Sequence, residues 1–223
     1  MMRVAITVSE QALVDERVAL VRASLVRRGL RLNYLTLAYN TLEAIVSLIA
    51  GLLAGSVALT GFGVDSVIEV SASAAAQWRL RSDLDHARRA HAERITSRAI
   101  GWSFMALAAY VLVDSGKSLW LSERPDRSVI GIVILVMSAL VMPILARAKR
   151  RVAAGLDSRA LAADARQTSL CAYLSVIALC GVALNAAIGW WWADPIAALA
   201  MVPIIAKEGL EGVRGEPACD DCC

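Results

Sequence analysis

Six apolar stretches of about 20 residues, set off by short polar or charged segments, constrain this chain more than any other feature. They run roughly over 32–54, 57–77, 99–121, 128–147, 168–190 and 193–210. Each has the helical length needed to cross about 30 Å of hydrocarbon at 1.5 Å per residue. In hydrocarbon a spanning segment must satisfy its own backbone hydrogen bonds. The pattern predicts an all-α fold, a polytopic membrane protein built as a six-transmembrane-helix bundle. The hydrophobic share of 58% over 223 residues exceeds the roughly half of a soluble domain. Pro143 and Pro203 fall within the fourth and sixth stretches, where neighbouring helices make proline tolerable.

The basic residues set the expected orientation. With the N-terminus inside, the inner segments and the adjoining span edges hold 20 Lys and Arg, and the outer loops hold only Arg124 and Arg127. This asymmetry puts both termini in the cytoplasm of a cell-membrane protein, the inner membrane in a bacterium. It also argues against nucleic-acid binding, because the arginines are split among membrane-flanking loops with no interleaved aromatics. The first 31 residues are charged and show no secretory signal.

The chain divides into an N-terminal cytoplasmic region over 1–31, a transmembrane domain over 32–212 and a tail over 213–223. Within the first region, residues 10–28 place Val14, Val18, Val21 and Leu25 on one face. They read as an amphipathic helix at the membrane interface or on the bundle, with Gly29 as its stop. Gly55-Ser56 makes a tight turn between spans one and two. Trp190, Trp191 and Trp192 read as interfacial anchors, and Asp194-Pro195 opens span six. His86 and His91, five apart, read as residues of a solvated inner loop.

The chemistry lies in the acids inside the spans. Asp65 and Glu69 share one helix face in span two, four residues apart and about 6 Å from each other. Gln167 and Cys171 repeat that spacing in span five, with Asp164 three residues earlier on the same face, and span one carries Asn40 and Glu43. An ionisable group deep in a span points to function by default. Two such faces turned inward bring two carboxylates, an amide oxygen and a thiolate around one cation, a donor set suited to a borderline divalent metal. Without that cation the acids must hold protons, so metal binding displaces protons. Gly61, Gly63, Ser66 and Ser73 allow close helix approach. Asp114 and Lys117, three apart in span three, read as a local ion pair. No HExxH pair, phosphate-binding glycine loop or Ser/His/Asp arrangement accompanies these acids, so an enzyme is not expected. The tail ends with Cys219, Cys222 and Cys223 around Asp220 and Asp221, a donor set that reads as a second site for a thiophilic metal.

"GSVALTGFGVDSVIEVSAS" in span two and "LAADARQTSLCAYLS" in span five resemble the two signature regions of the cation diffusion facilitator family. The likeness covers roughly 33–212 and includes the six-span pattern. It implies export of divalent cations, chiefly zinc, often in exchange for protons, by a homodimer in the membrane lipid. It implies a transport site of two acids on span two, matched by Asp65 and Glu69, and a histidine and an aspartate on span five. Gln167 and Cys171 stand in those last two positions, and Asp164 matches the family's preceding aspartate. The softer thiol favours an ion such as Cd²⁺ beside Zn²⁺ or Co²⁺, and Glu43 is expected to compensate from span one. The metal is transported substrate and no cofactor is expected. Typical members continue into a cytoplasmic α/β domain, so the chain reads as a short form of the family. The expected function is metal efflux by alternating access. The alternatives are a non-transporting membrane metal sensor or accessory protein, and a transporter of an organic cation.

Overall fold

With no water in a bilayer core to take up backbone hydrogen bonds, each apolar run closes on itself as a helix. The computed structural model describes residues 2–81, 86–156 and 159–214. Among them every element is an α-helix: α1 (Met2–Ala54), α2 (Val57–Arg81), α3 (His86–Leu121), α4 (Val129–Leu156), α5 (Arg159–Ile188) and α6 (Ala193–Arg214). Five of the helices, α1 to α5, are long and apolar enough to cross a membrane. The sixth is 22 residues long and carries Asp194, Lys207, Glu208 and Glu211.

The bundle inverts the arrangement of a soluble protein. Leu53, Val113 and Trp120 are 70% exposed or more, whereas Asn40, Glu43, Ser66 and Glu69 are at most 1% exposed. Apolar groups face outward, where lipid is their solvent, and polar groups face inward, where they meet each other. α2 packs on α1, α3, α5 and α6, while α4 packs on α5 and α1. The apolar core runs through Phe62, Val111, Leu135, Met142, Leu174 and Met201.

Small residues set the helix spacing. A Cβ on Gly101 of α3 would stand 2.5 Å from the backbone nitrogen of Val213 on α6. One on Gly51 of α1 would meet Thr60 of α2 at 2.6 Å. These backbones approach to distances that only glycine allows.

At the end of the bundle opposite the termini, Gly55 closes α1 in the left-handed region at φ 63°, the usual glycine terminator. Ser56 then caps α2, its Oγ accepting from the Leu59 N–H at 3.1 Å.

The N-terminal region departs from expectation. No separate surface helix ends at Gly29; α1 runs unbroken from Met2 to Ala54, roughly 80 Å at 1.5 Å per residue. Gly29 is a buried helical residue facing Val152 and Leu161. A glycine costs a helix interior only about 1 kcal/mol. Here Leu25 and Leu32 of α1 pack with Val152, Ala153, Leu156, Leu161 and Ala162, and that burial outweighs the penalty. The inner loop over 78–98 is also shorter than expected. α2 continues to Arg81 and α3 starts at His86, so His86 and His91 are helical residues. The fifth helix begins on the inner side of its apolar run, at Arg159.

Candidate metal site

Three helices present buried polar stripes to one another. On α1, Asn33, Thr36, Asn40, Glu43 and Ser47 are all buried. Their steps of three and four residues keep them on one face. On α2, Asp65, Ser66, Glu69 and Ser73 are buried, and on α5 the stripe is Asp164, Thr168, Cys171 and Ser175. α4 adds Ser138 and Lys149.

The stripes converge on the acids. Ser66 Oγ donates to Glu43 Oε2 at 3.0 Å, and the Cys171 thiol donates to the same oxygen at 3.7 Å. Ser138 lies beside Glu43, and Thr168 and Cys171 lie beside Glu69. Glu69, Glu43 and Asp65 all lie close enough to Cys171 to act on its thiol, and Glu69, Glu43 and Glu208 of α6 act likewise on Asp65. Asp65, Glu69, Cys171 and Glu43 therefore form one electrostatic group contributed by α1, α2 and α5. Gln167 sits one turn before Cys171, half-buried, with a buried amide nitrogen that has no hydrogen-bond partner.

Several of these groups lack protein partners. Both carboxylate oxygens of Glu69, Oε1 of Glu43 and both side-chain polar atoms of Asn40 are buried with no hydrogen bond. Most buried polar groups are paired, so a cluster of orphans marks a place where water or an ion completes the bonding. Among the described residues, no three His, Cys, Asp or Glu side chains converge closely enough to hold a metal ion together. The group is a buried polar compartment with unpaired oxygens.

Asp164 stands differently. Its Oδ2 pairs with Lys149 Nζ at 2.8 Å, and its Oδ1 accepts from Ser73 Oγ at 3.0 Å. Lys149 also donates to Thr168 Oγ1 at 3.1 Å. Nothing in the sequence reading foresaw Lys149 as an interior residue. It lies in the run "RAKRR", which reads as one more basic membrane flank. Yet it shares a three- and four-residue period with Met142, Leu145, Ala146, Val152 and Ala153, all buried. That period was the available signal.

Other expectations resolve outside this group. Asp114 does not pair with Lys117. It accepts from Tyr110 Oη at 3.2 Å, while Lys117 reaches Glu123 at 3.2 Å. The Lys117 side chain extends past the end of its helix, where an acid in the following turn is the nearer partner. Trp190 and Trp192 stack with ring centroids 5.0 Å apart at the end of the bundle holding the short turns. Cys219, Cys222 and Cys223 lie outside the described residues.

Residues 34–214 match the family model of the cation efflux transmembrane domain. The chain is also similar to two Bacillus subtilis (strain 168) proteins. It is 30% identical over 170 residues to the uncharacterized transporter YdbO, covering 74% of this chain and 58% of that protein. It is 30% identical over 176 residues to the manganese efflux system protein MneS, covering 76% of this chain and 60% of that protein. The chain thus spans about three-fifths of the length of these relatives. A multi-pass helical bundle with acids gathered in its interior, matched by that domain over four of every five residues, belongs to the cation efflux family of transporters.

Proposed function

We propose that this protein exports a divalent transition metal, Zn²⁺ or a neighbour such as Cd²⁺ or Co²⁺, through a site made by Asp65, Glu69, Cys171 and Glu43 with Gln167. The supporting observation is the pair of fully buried glutamates, Glu43 and Glu69. Three of their four carboxylate oxygens have no hydrogen-bond partner. Uncompensated buried carboxylates are costly, and a cation bound between α1, α2 and α5 supplies the missing compensation. Three carboxylates, an amide and a thiol form a set of borderline softness. The name of MneS brings in Mn²⁺ as the harder alternative. Asp164 joins this set only when Lys149 releases it.

Transport follows from alternating exposure of the site to the two sides of the membrane. On the return step the acids cannot stay uncompensated in a low-dielectric interior, so protons replace the metal and the cycle becomes an antiport. The basic flanks put both termini on the cytoplasmic side of the cell (inner) membrane. The working unit is a homodimer surrounded by lipid. The tail cysteines Cys219, Cys222 and Cys223 form a second, thiol-based site on the cytoplasmic side.

Reconstitution of the full chain in vesicles tests this reading. Uptake of Zn²⁺, Cd²⁺, Co²⁺ and Mn²⁺ is followed under an imposed pH gradient. The expected result is metal flux that collapses in Asp65→Ala and Glu69→Gln. Flux that is absent, or indifferent to both substitutions, defeats the proposal. Metal binding without flux instead identifies a sensor or accessory protein on the same scaffold.

A further inference from the structure

We propose that Lys149 is a tethered cation that competes with the transported metal: its ammonium holds Asp164, and a metal ion has to displace it to gain a carboxylate from α5. The inference rests on the site reading above and assigns a role to a residue outside that site.

Lys149 is fully buried, and among the described residues it is the one basic side chain in the buried interior. The same interior holds the buried acids Glu43, Asp65, Glu69 and Asp164, and Asp164 is the one that pairs with Lys149. An ammonium has three N–H donors. Lys149 forms an ion pair with Asp164 Oδ2 at 2.8 Å and donates to Thr168 Oγ1 at 3.1 Å. Lys149 is also the foremost charge acting on Glu69, whose two oxygens have no hydrogen-bond partner. One cation therefore serves acids from two helices, α2 and α5, in the place where a divalent ion would serve them.

Stability is a weak reason for such a pair. Desolvating both charges offsets most of their attraction, and apolar replacements of buried ion pairs are often neutral or stabilising. The position is more informative. Ser73 lies one turn beyond Glu69 on α2, toward the end that holds the termini, and its hydroxyl bonds Asp164. Asn33 of α1 donates to the Ser73 carbonyl at 3.5 Å. Lys149, Asp164, Ser73 and Asn33 thus tie α4, α5, α2 and α1 together at one level, on the terminal side of the acids. Displacing the ammonium loosens that tie, so metal arrival and opening on that side become one event.

The test measures Zn²⁺ and Mn²⁺ binding to the purified full chain by titration calorimetry. The variants are Lys149→Gln, Asp164→Asn, the double Lys149→Gln/Asp164→Asn, and Asp65→Asn as the reference for the site. A coupling of ordinary size between two ligands of one site is on the order of tenfold. Lys149→Gln keeps a hydrogen-bonding group but removes the competitor, so it should bind metal about tenfold more tightly. Asp164→Asn frees the ammonium toward Glu69 and should bind about tenfold more weakly. Opposite signs from the two halves of one ion pair are what a merely structural pair does not produce. If Lys149→Gln does not fold, the double variant is compared with Asp164→Asn. Removing the ammonium there should recover part of the lost affinity, and no recovery overturns the proposal. Wild-type or weaker binding by a folded Lys149→Gln, with binding lost in Asp65→Asn, refutes the role of the lysine and leaves the site reading intact. Unchanged binding in Asp65→Asn refutes the site and the lysine's role together.

Discussion

Ser56 Oγ donates to Asp194 Oδ1 at 2.6 Å, joining residues 138 positions apart. The other oxygen of Asp194 accepts the backbone N–H of Val57 at 2.9 Å and of Ala58 at 3.5 Å. The first residues of α6 thus cap the N-terminus of α2, the helix that carries Asp65 and Glu69. A carboxylate suits the positive end of a helix dipole, and it takes up N–H groups that have no partner within their own helix.

Asp194→Ala removes three hydrogen bonds from a buried position and leaves the α2 N–H groups unpaired. We expect a loss of about 2–3 kcal/mol. Thermal unfolding of the detergent-solubilised protein should show a clearly lower midpoint. Metal binding below that temperature should persist, because Asp194 lies at the end of α2 away from the acids. An unchanged midpoint contradicts the cap.

Cys171 is the soft donor among hard ones. Cys171→Asp makes the set all-oxygen and should shift transport toward Mn²⁺ and away from Cd²⁺. The ratio of Cd²⁺ to Mn²⁺ uptake in vesicles should fall on the order of tenfold, a difference of about 1.4 kcal/mol. Cys171→Ala should lower uptake of every ion without reordering them. A constant ratio in Cys171→Asp places the thiol outside the coordination sphere.

Gly101→Ala tests the α3–α6 contact. The new Cβ meets backbone atoms, Val213 N at 2.5 Å and the Gly212 carbonyl carbon at 2.7 Å, and backbone cannot rotate away. Overpacking of this kind costs about 1–3 kcal/mol. Heat or denaturant unfolding in detergent should show the loss, and wild-type stability argues that the helices stand further apart.

Gly29→Ala has the opposite expectation. A Cβ there reaches Val152 Cγ1 at 3.4 Å and Leu161 Cδ2 at 3.7 Å, ordinary contact distances. Alanine also favours a helix interior by about 1 kcal/mol over glycine. The midpoint should hold or rise. A marked fall is the outcome expected if α1 instead ended at Gly29 in a left-handed turn.

The contrast between Glu69 and Lys149 shows what was legible beforehand. Glu69 stands out because an acid within an apolar run has no cheap explanation, and its four-residue spacing from Asp65 is a helix-face relation that needs no fold. Lys149 does not stand out, because a lysine among arginines after an apolar run is what any membrane flank contains. Its burial depends on α5 crossing α4 at that level, a long-range contact with no local trace beyond helical period. Gly29 fails in the reverse direction. Its local preference for stopping a helix is real but small, and packing against α4 and α5 overrides it.

By itself, the sequence determined the class of the molecule, the six apolar runs that form its helices and the helix-face spacing of the acids. Those properties come from segment length, hydropathy and three- and four-residue spacing, all local and set by the dimensions of a helix and a bilayer. Tertiary structure alone decided which polar groups meet: Glu43 with Ser66 and Cys171, Asp164 with Lys149 rather than with the other acids, and Asp194 with the start of α2. Pairings between residues tens of positions apart depend on how helices cross, and helix crossing is set by side-chain packing along whole interfaces.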